Sequence, residues 1–142
     1  ALTEELRTYP GRTKEQHKTY LDEISSNPDH RRITMRPDVV HEVNPASTLI
    51  FDAKYKTASR SGQYPNADHY QVLAYATALG QRNAWLLYAG SGPTVSRRIR
   101  NTSVVTHELP VDVSATPQQV LHTIAGIAER AYELAGVDDI IR

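Results

Sequence analysis

Apolar positions cluster along this chain in blocks separated by turn residues, and each block has its own period. Ile33–Val43 reads as a strand, with Pro37 inside it pointing to an edge position, a bulge or a strand start. Asn44-Pro45-Ala46-Ser47 is a turn, and Thr48–Tyr55 (Leu49, Ile50, Phe51, Ala53) is the next strand, so the two form an antiparallel hairpin. Thr57–Pro65, rich in Ser, Gly and Gln, reads as a mobile loop. Asn66–Leu79 has helical spacing, with Asn66 as N-cap and Gly80 where a C′ glycine belongs. Val72, Leu73, Ala76 and Leu79 form its apolar face, and Ala74 and Ala78 make it nearly apolar all round, which predicts a buried helix.

Ala84–Ala89 (Trp85, Leu86, Leu87, Tyr88) is a strongly apolar strand ended by Gly90-Ser91-Gly92-Pro93. Thr94–Arg100 and Ser103–Val111 predict two more strands joined at Asn101-Thr102. Thr116-Pro117-Gln118-Gln119 carries a capping box with proline at the first helical position. The helix it opens runs to Leu134, with Val120, Leu121, Ile124, Ile127, Ala131 and Leu134 towards the core, and Gly136 stops it. Residues 1–32 are polar, broken at Pro10-Gly11 and Asn27-Pro28-Asp29, with a short helix expected over Thr13–Ile24. The expected order is β-β-α-β-β-β-α. It gives an α/β fold with a central mixed sheet flanked by helices, divided into a polar N-terminal segment (1–32) and a folded domain (33–142).

Composition narrows the chemistry. A chain of 142 residues suits one ordinary core. Lys plus Arg and Asp plus Glu are 16 each, so there is no net charge. A domain that holds DNA alone is usually basic, so affinity for nucleic acid must come from a local patch or from another domain or subunit. The absence of cysteine removes disulfides, thiolate catalysis and cysteine zinc sites, and is compatible with a cytoplasmic location. No apolar run approaches a membrane span. The start at Ala1 and the end at Ile140-Ile141-Arg142 read as those of a domain within a longer protein.

The candidate chemistry lies on the first hairpin. Arg36-Pro37-Asp38 opens one strand, and Asp52-Ala53-Lys54 ends the next. Side chains alternate along a strand, so Asp52 and Lys54 leave one face and Ala53 the other. Two carboxylates and a lysine beside a sheet suit a divalent cation that activates water against a phosphodiester. Asp38 and Asp52 supply carboxylates, and the main-chain oxygen of Ala53 a third ligand. Lys54 orients the water or acts as a point charge on the phosphorus. Gln71 and Tyr75, four apart on the following helix, share a face. They are expected to reach the site, Gln71 near the water or the lysine and Tyr75 near a phosphate; a core tyrosine with a satisfied hydroxyl is an equal reading of Tyr75.

Alone, an Asp-x-Lys is a solvated strand end and a Pro-Asp a turn; the ordered conjunction is what distinguishes this chain. Arg36-Pro37-Asp38, Asp52-Ala53-Lys54 and Gln71-x-x-x-Tyr75 resemble the PD-(D/E)xK nuclease superfamily, in the variant with Asp as second acid. The strings Leu49–Lys56 and Asp68–Ala76 more closely resemble the McrC-type nuclease subunit of methylcytosine-dependent restriction systems. The resemblance covers residues 33–90. It implies a restriction-endonuclease-like fold, Mg²⁺-dependent DNA cleavage (Mn²⁺ as substitute), and a separate NTP-driven motor subunit that finds the modified DNA. A homodimer is compatible with it. The superfamily often carries a further catalytic Glu on a helix before the Pro-Asp strand; Glu15, Asp22 and Glu23 are the candidates in residues 1–32.

For DNA contacts the candidates are Arg36, Lys56, Arg60, Arg97 and Arg98, with Arg31, Arg32 and Arg100 nearby. Arg97 and Arg98 read equally as part of a solvated edge strand. Among the six histidines, His30, His41 and His69 lie near the site in sequence, but none pairs at zinc-ligand spacing, and His69 reads as a surface residue. No Walker motif is present. The alternatives to a restriction endonuclease are a repair or recombination nuclease of the same fold, and a nuclease-fold scaffold that binds without cutting.

Overall fold

The structure, a computed structural model, describes residues 1–27, 29–54 and 66–136. The chain order is α1 (Leu2–Leu6), β1 (Arg12–Glu15), β2 (Thr19–Tyr20), β3 (Thr34–Met35), β4 (Val39–Asn44), β5 (Ser47–Lys54), α2 (Asn66–Ala78), β6 (Asn83–Ala89), β7 (Val95–Arg98), β8 (Val105–Val111) and α3 (Pro117–Leu134). The main sheet has six strands in the order β1-β4-β5-β6-β8-β7, and β2 and β3 form a separate ribbon. β1, β4 and β5 are antiparallel to one another, β5, β6 and β8 run parallel, and β7 returns antiparallel to β8. This is the α/β fold with a mixed sheet flanked by helices that the hydrophobic pattern predicts.

Strand alternation sorts the core into two layers. Leu49 and Phe51 of β5 and Trp85 and Leu87 of β6 face α1 and α3, where Leu6, Ile127, Ala128, Ala131 and Tyr132 meet them. Ile50 of β5 and Ala84, Leu86 and Tyr88 of β6 face α2, against Val72, Tyr75 and Ala76. Asp52 follows Ile50 on that second face, and Lys54 follows Asp52.

Both long helices begin or end as their sequences predict. Thr116 caps α3 with a complete capping box. After α2, Gly80 takes φ 66°, with Gly80 N–H donating to Thr77 O and Gln81 N–H to Ala76 O, the paired bonds of a Schellman stop. α2 is less buried than its composition suggests: Val72, Tyr75 and Ala76 pack inward, while Tyr70 and Gln71 face solvent. On α3 the buried stripe is Ile127, Ala128, Ala131 and Tyr132, while Leu121 and Leu134, expected on the core face, are exposed at 54% and 45%.

The N-terminal region departs most from expectation. Instead of a helix over Thr13–Ile24, Arg12–Glu15 pairs with β4 as an edge strand, and Thr19–Tyr20 pairs with β3. The polar run Arg-Thr-Lys-Glu has no apolar face to hold a helix, and the open edge of β4 satisfies its backbone groups instead. Gly11 makes the turn into β1 at φ 127°, where a Cβ would lie 2.7 Å from Glu42 O. The buried His41 ring ties this turn down, bonding Pro10 O at 2.8 Å through Nε2 and the Thr13 hydroxyl at 2.8 Å through Nδ1. His41 is thus a structural bridge between β1 and β4. The single strand expected over Ile33–Val43 is also interrupted: Arg36-Pro37-Asp38 separates β3 from β4, since proline cannot donate to a ladder.

Candidate metal centre

The hairpin register Val39↔Phe51 sets Asp38 opposite Asp52 where β4 begins and β5 ends. Asp38 N–H donates to Asp52 Oδ1 at 3.3 Å, and Ala53 N–H donates to Asp38 Oδ2 at 2.9 Å. Two carboxylates thus sit side by side, joined through main-chain amides. Asp52 is 2% exposed. Burial pushes its carboxyl up, the Lys54 ammonium partly offsets this, and the neighbouring charge of Asp38 raises it further.

Lys54 occupies the mouth of this pair. Its Nζ lies 2.6 Å from Asp52 Oδ2 and 3.7 Å from Asp68 Oδ1, and donates to Gln71 Oε1 at 2.5 Å. Burial works against its charge, but Asp52, Asp68 and Asp38 outweigh it and raise the lysine above its ordinary value. Gln71 also hydrogen-bonds the Tyr75 hydroxyl, which donates to Arg36 O at 3.5 Å. Burial, then the charges of Asp52 and Asp38, push the Tyr75 phenol up to about 12. The ring of Tyr75 belongs to the core and its hydroxyl end to the edge of the site.

Of the sequence candidates, Asp38, Asp52, Ala53, Lys54, Gln71 and Tyr75 therefore come together. Glu15, Gln16, Asp38, Ala53 and Lys54 border a common cleft of about 490 Å³. Asp22 does not reach it: its carboxylate accepts from Ile33 N–H and braces the loop between β2 and β3. Glu23 is exposed on that loop, and His30 bonds Ser25 there. Arg36 is exposed beside the site. Lys56, Arg60 and the loop Thr57–Pro65 lie outside the described residues.

Two residues at the site were not among the candidates. Gln16 donates from Nε2 to Asp38 Oδ1 at 2.7 Å, and its main-chain N–H donates to Asp38 O at 2.8 Å. It does so at φ 49°, an uncommon conformation for a residue with a side chain. Asp68, buried in the first turn of α2, faces Lys54 and accepts from the Tyr88 hydroxyl at 3.4 Å. An acidic residue in a first helical turn ordinarily complements the helix dipole, which is why its sequence position did not single it out. His69 also departs from the surface reading: its Nε2 pairs with buried Glu108 at 2.9 Å.

The donor set fits a hard divalent cation. Asp38 and Asp52 offer adjacent carboxylate oxygens, and each Asp38 oxygen accepts one protein hydrogen bond, leaving lone pairs free. Among the described residues no group of three His, Cys, Asp or Glu gathers as a metal cage. Two carboxylates completed by main-chain oxygen and water are what Mg²⁺ accepts. Asp52's raised carboxyl supplies the electrostatic reason for a cation there.

Among the described residues no helix is long and apolar enough to cross a membrane. No curated protein matches the chain. Among solved structures it is similar to a chain of the refined half-complex from a tetradecameric assembly of Thermococcus gammatolerans McrB AAA+ hexamers with bound McrC, with TM-score 0.64 and 12% identity. The match covers 90% of this chain and 30% of that one. At that identity the likeness concerns the fold. Residues 2–89, which hold the whole Asp38/Asp52/Lys54 cluster and α2, match the family described as McrBC 5-methylcytosine restriction system component. The chain belongs to that family, and is a component of a McrBC-type restriction system.

Proposed function

We propose that this domain is the DNA-cutting centre of its restriction system, a Mg²⁺-dependent endonuclease of the PD-(D/E)xK type. The observation that supports it is the cross-strand pair Asp38–Asp52 with the Lys54 ammonium 2.6 Å from Asp52. Asp38, Asp52 and the main-chain oxygen of Ala53 would hold Mg²⁺, with Mn²⁺ as a substitute. The cation would polarise a phosphoryl oxygen and acidify a bound water.

The residues around it do the rest. Gln16 and Ala53 N–H fix both oxygens of Asp38. Asp68 and Gln71 hold Lys54 independently of Asp52, so the ammonium stays charged and in place as a fixed positive centre for the charge developing on phosphorus. Tyr75, with its phenol at about 12, remains neutral near pH 7 and serves as a hydrogen-bonding group.

The neutral overall charge leaves affinity for DNA to a local patch or to another domain or subunit. The solved neighbour is an assembly of McrC with McrB AAA+ hexamers. By analogy this domain works with a separate NTP-driven motor that recognises modified DNA, and acts in the cytoplasm.

The test is plasmid cleavage by the chain with its motor partner in Mg²⁺, set against Asp52→Asn. Cleavage lost in the variant with the fold intact supports the reading, and full cleavage by Asp52→Asn sinks it. Calorimetry with Mg²⁺ separates a nuclease from a scaffold: a scaffold shows no binding, or binding indifferent to Asp38→Ala.

A further inference from the structure

The row of side chains that contains Asp52 continues across the sheet. The registers Asp52↔Leu86 and Leu86↔Glu108 place Glu108 on the same face, two strands away. At about 4.8 Å per strand, that is roughly 10 Å from Asp52. Glu108 is 5% exposed, and its Oε1 meets both His69 Nε2 at 2.9 Å and Arg97 Nε at 2.8 Å. A buried carboxylate must be paired to be tolerated, and here one oxygen binds a residue of α2 and a residue of the edge strand β7.

Arg97 is half of an arrangement whose other half faces solvent. Its side chain is 58% exposed. Glu108 occupies Nε, and among the described residues the terminal Nη groups, with four of the five guanidinium donors, have no partner. An arginine anchored at Nε and open at Nη is pre-oriented for two oxygens of a phosphate, with less rotamer freedom left to lose on binding. Alternation separates it from its neighbour. Ser96 bonds His107 on the α3 side of the sheet, so Arg98, two residues on, shares that far face, while Arg97 shares the face of Asp52.

We propose that Glu108 is a positioning residue which, together with His69, holds Arg97 as a clamp for a DNA backbone phosphate; Arg97 lies on the third strand from Asp52, which puts the clamp about three to four nucleotides of duplex rise (~3.4 Å each) from the Asp38/Asp52 pair. Naming DNA as the ligand rests on the nuclease reading, and the clamp's geometry does not. The contact reads backbone, so it is indifferent to sequence.

The test is fluorescence anisotropy of a labelled duplex over a range of salt, in an Asp52→Asn background so that DNA stays intact. Arg97→Ala and Glu108→Gln are each expected to weaken binding about tenfold, the worth of one charged hydrogen-bonded contact. The slope of log affinity against log salt should become shallower by about 0.9. Arg97→Lys should not restore binding, because lysine has no second nitrogen to anchor on Glu108. Arg98→Ala should bind as the parent does. Equal effects of Arg97→Ala and Arg98→Ala, full rescue by lysine, or no duplex binding by the parent chain at low salt would each overturn the proposal. Thermal melting accompanies every variant, and if Glu108→Gln does not fold, the exposed Arg97 pair decides alone. The two readings fail separately: cleavage surviving Asp52→Asn removes the reaction and leaves the clamp, and unchanged binding by Arg97→Ala removes the clamp and leaves the reaction.

Discussion

Gln16 grips Asp38 twice, through Nε2 to Oδ1 at 2.7 Å and through its main-chain N–H to Asp38 O at 2.8 Å, from a backbone at φ 49°. Edge strand β1 thereby reaches the candidate metal centre just past its last residue. Left-handed backbone costs a residue with a side chain about 1 kcal/mol, and it is sustained here by both bonds to the hairpin.

Gln16→Ala should therefore lower Mg²⁺ affinity or cleavage by about 10- to 100-fold, the usual effect of removing a residue that orients a ligand. Gln16→Asn keeps an amide and tolerates the conformation, but is one methylene shorter. Titration calorimetry with Mg²⁺ on both variants checks this; Gln16→Ala binding as tightly as the parent would show that Asp38 needs no orientation from β1.

Lys54 also carries stability. Removing it leaves Asp52 buried beside Asp38 with no cation at 2.6 Å. Breaking a buried pair on one side costs about 3–5 kcal/mol, and the partial exposure of Lys54 puts the expectation for Lys54→Ala at or below the lower end of that range. Asp52→Asn combined with Lys54→Ala should recover part of the loss, since the charge of Asp52 is then gone and only buried Asp68 has lost its cation. Urea unfolding of the two single variants and the double variant measures the coupling, and additive losses would contradict it.

His107 predicts an acid limit. It is buried, stacked on Trp85 with centroids 4.0 Å apart, and bonded to Asn83 and Ser96. Burial, then the charge of Arg130, lowers it from 6.5 to about 4. Below pH 6.5 the unfolded chain takes up a proton that the folded chain refuses, so stability falls from pH 6.5 down to about 4, by up to roughly 3 kcal/mol. Unfolding at pH 7 and pH 4.5 should show this loss, and His107→Gln should flatten it. A parent slope unchanged in His107→Gln would assign the acid loss to other groups.

Gly11 tests how β1 is attached. A Cβ there meets Glu42 O at 2.7 Å and His41 Nε2 at 2.8 Å, at a φ of 127°. Gly11→Ala should destabilise by more than about 1 kcal/mol and loosen the strand that carries Gln16. Hydrogen exchange should then rise at Arg12 and Lys14, whose amides face β4, and stay unchanged in β6 and β8. Uniform exchange across the sheet would mean that β1 does not open as a separate unit.

The residues legible in sequence are those whose placement depends on near neighbours. Period-two alternation is local, so Asp52 and Lys54 on one face, with Ala53 on the other, follow from three consecutive positions. Thr116 and Gln119 are three apart, and the capping box needs nothing else. Gln71 and Tyr75 share a helix face by their spacing. The short turn after β4 left the hairpin as the simplest pairing, and the hairpin aligned Asp38 with Asp52.

What tertiary structure decided involves partners distant in sequence or patterns with no local period. β1 consists of four polar residues, and only the open edge of β4 makes it a strand, which in turn delivers Gln16 to Asp38 across 22 positions. Asp68 resembled a residue serving its own helix until the parallel crossover from β5 to β6 brought it against Lys54 and Tyr88. Arg97 and Arg98 are indistinguishable as adjacent arginines, and only the antiparallel register of β7 on β8 assigns Arg97 to Glu108. The sequence by itself determined the two acids and the lysine, because alternation along a strand is a property of the backbone; the sheet order decided which distant residues hold them, because strand pairing is set by packing across the whole domain.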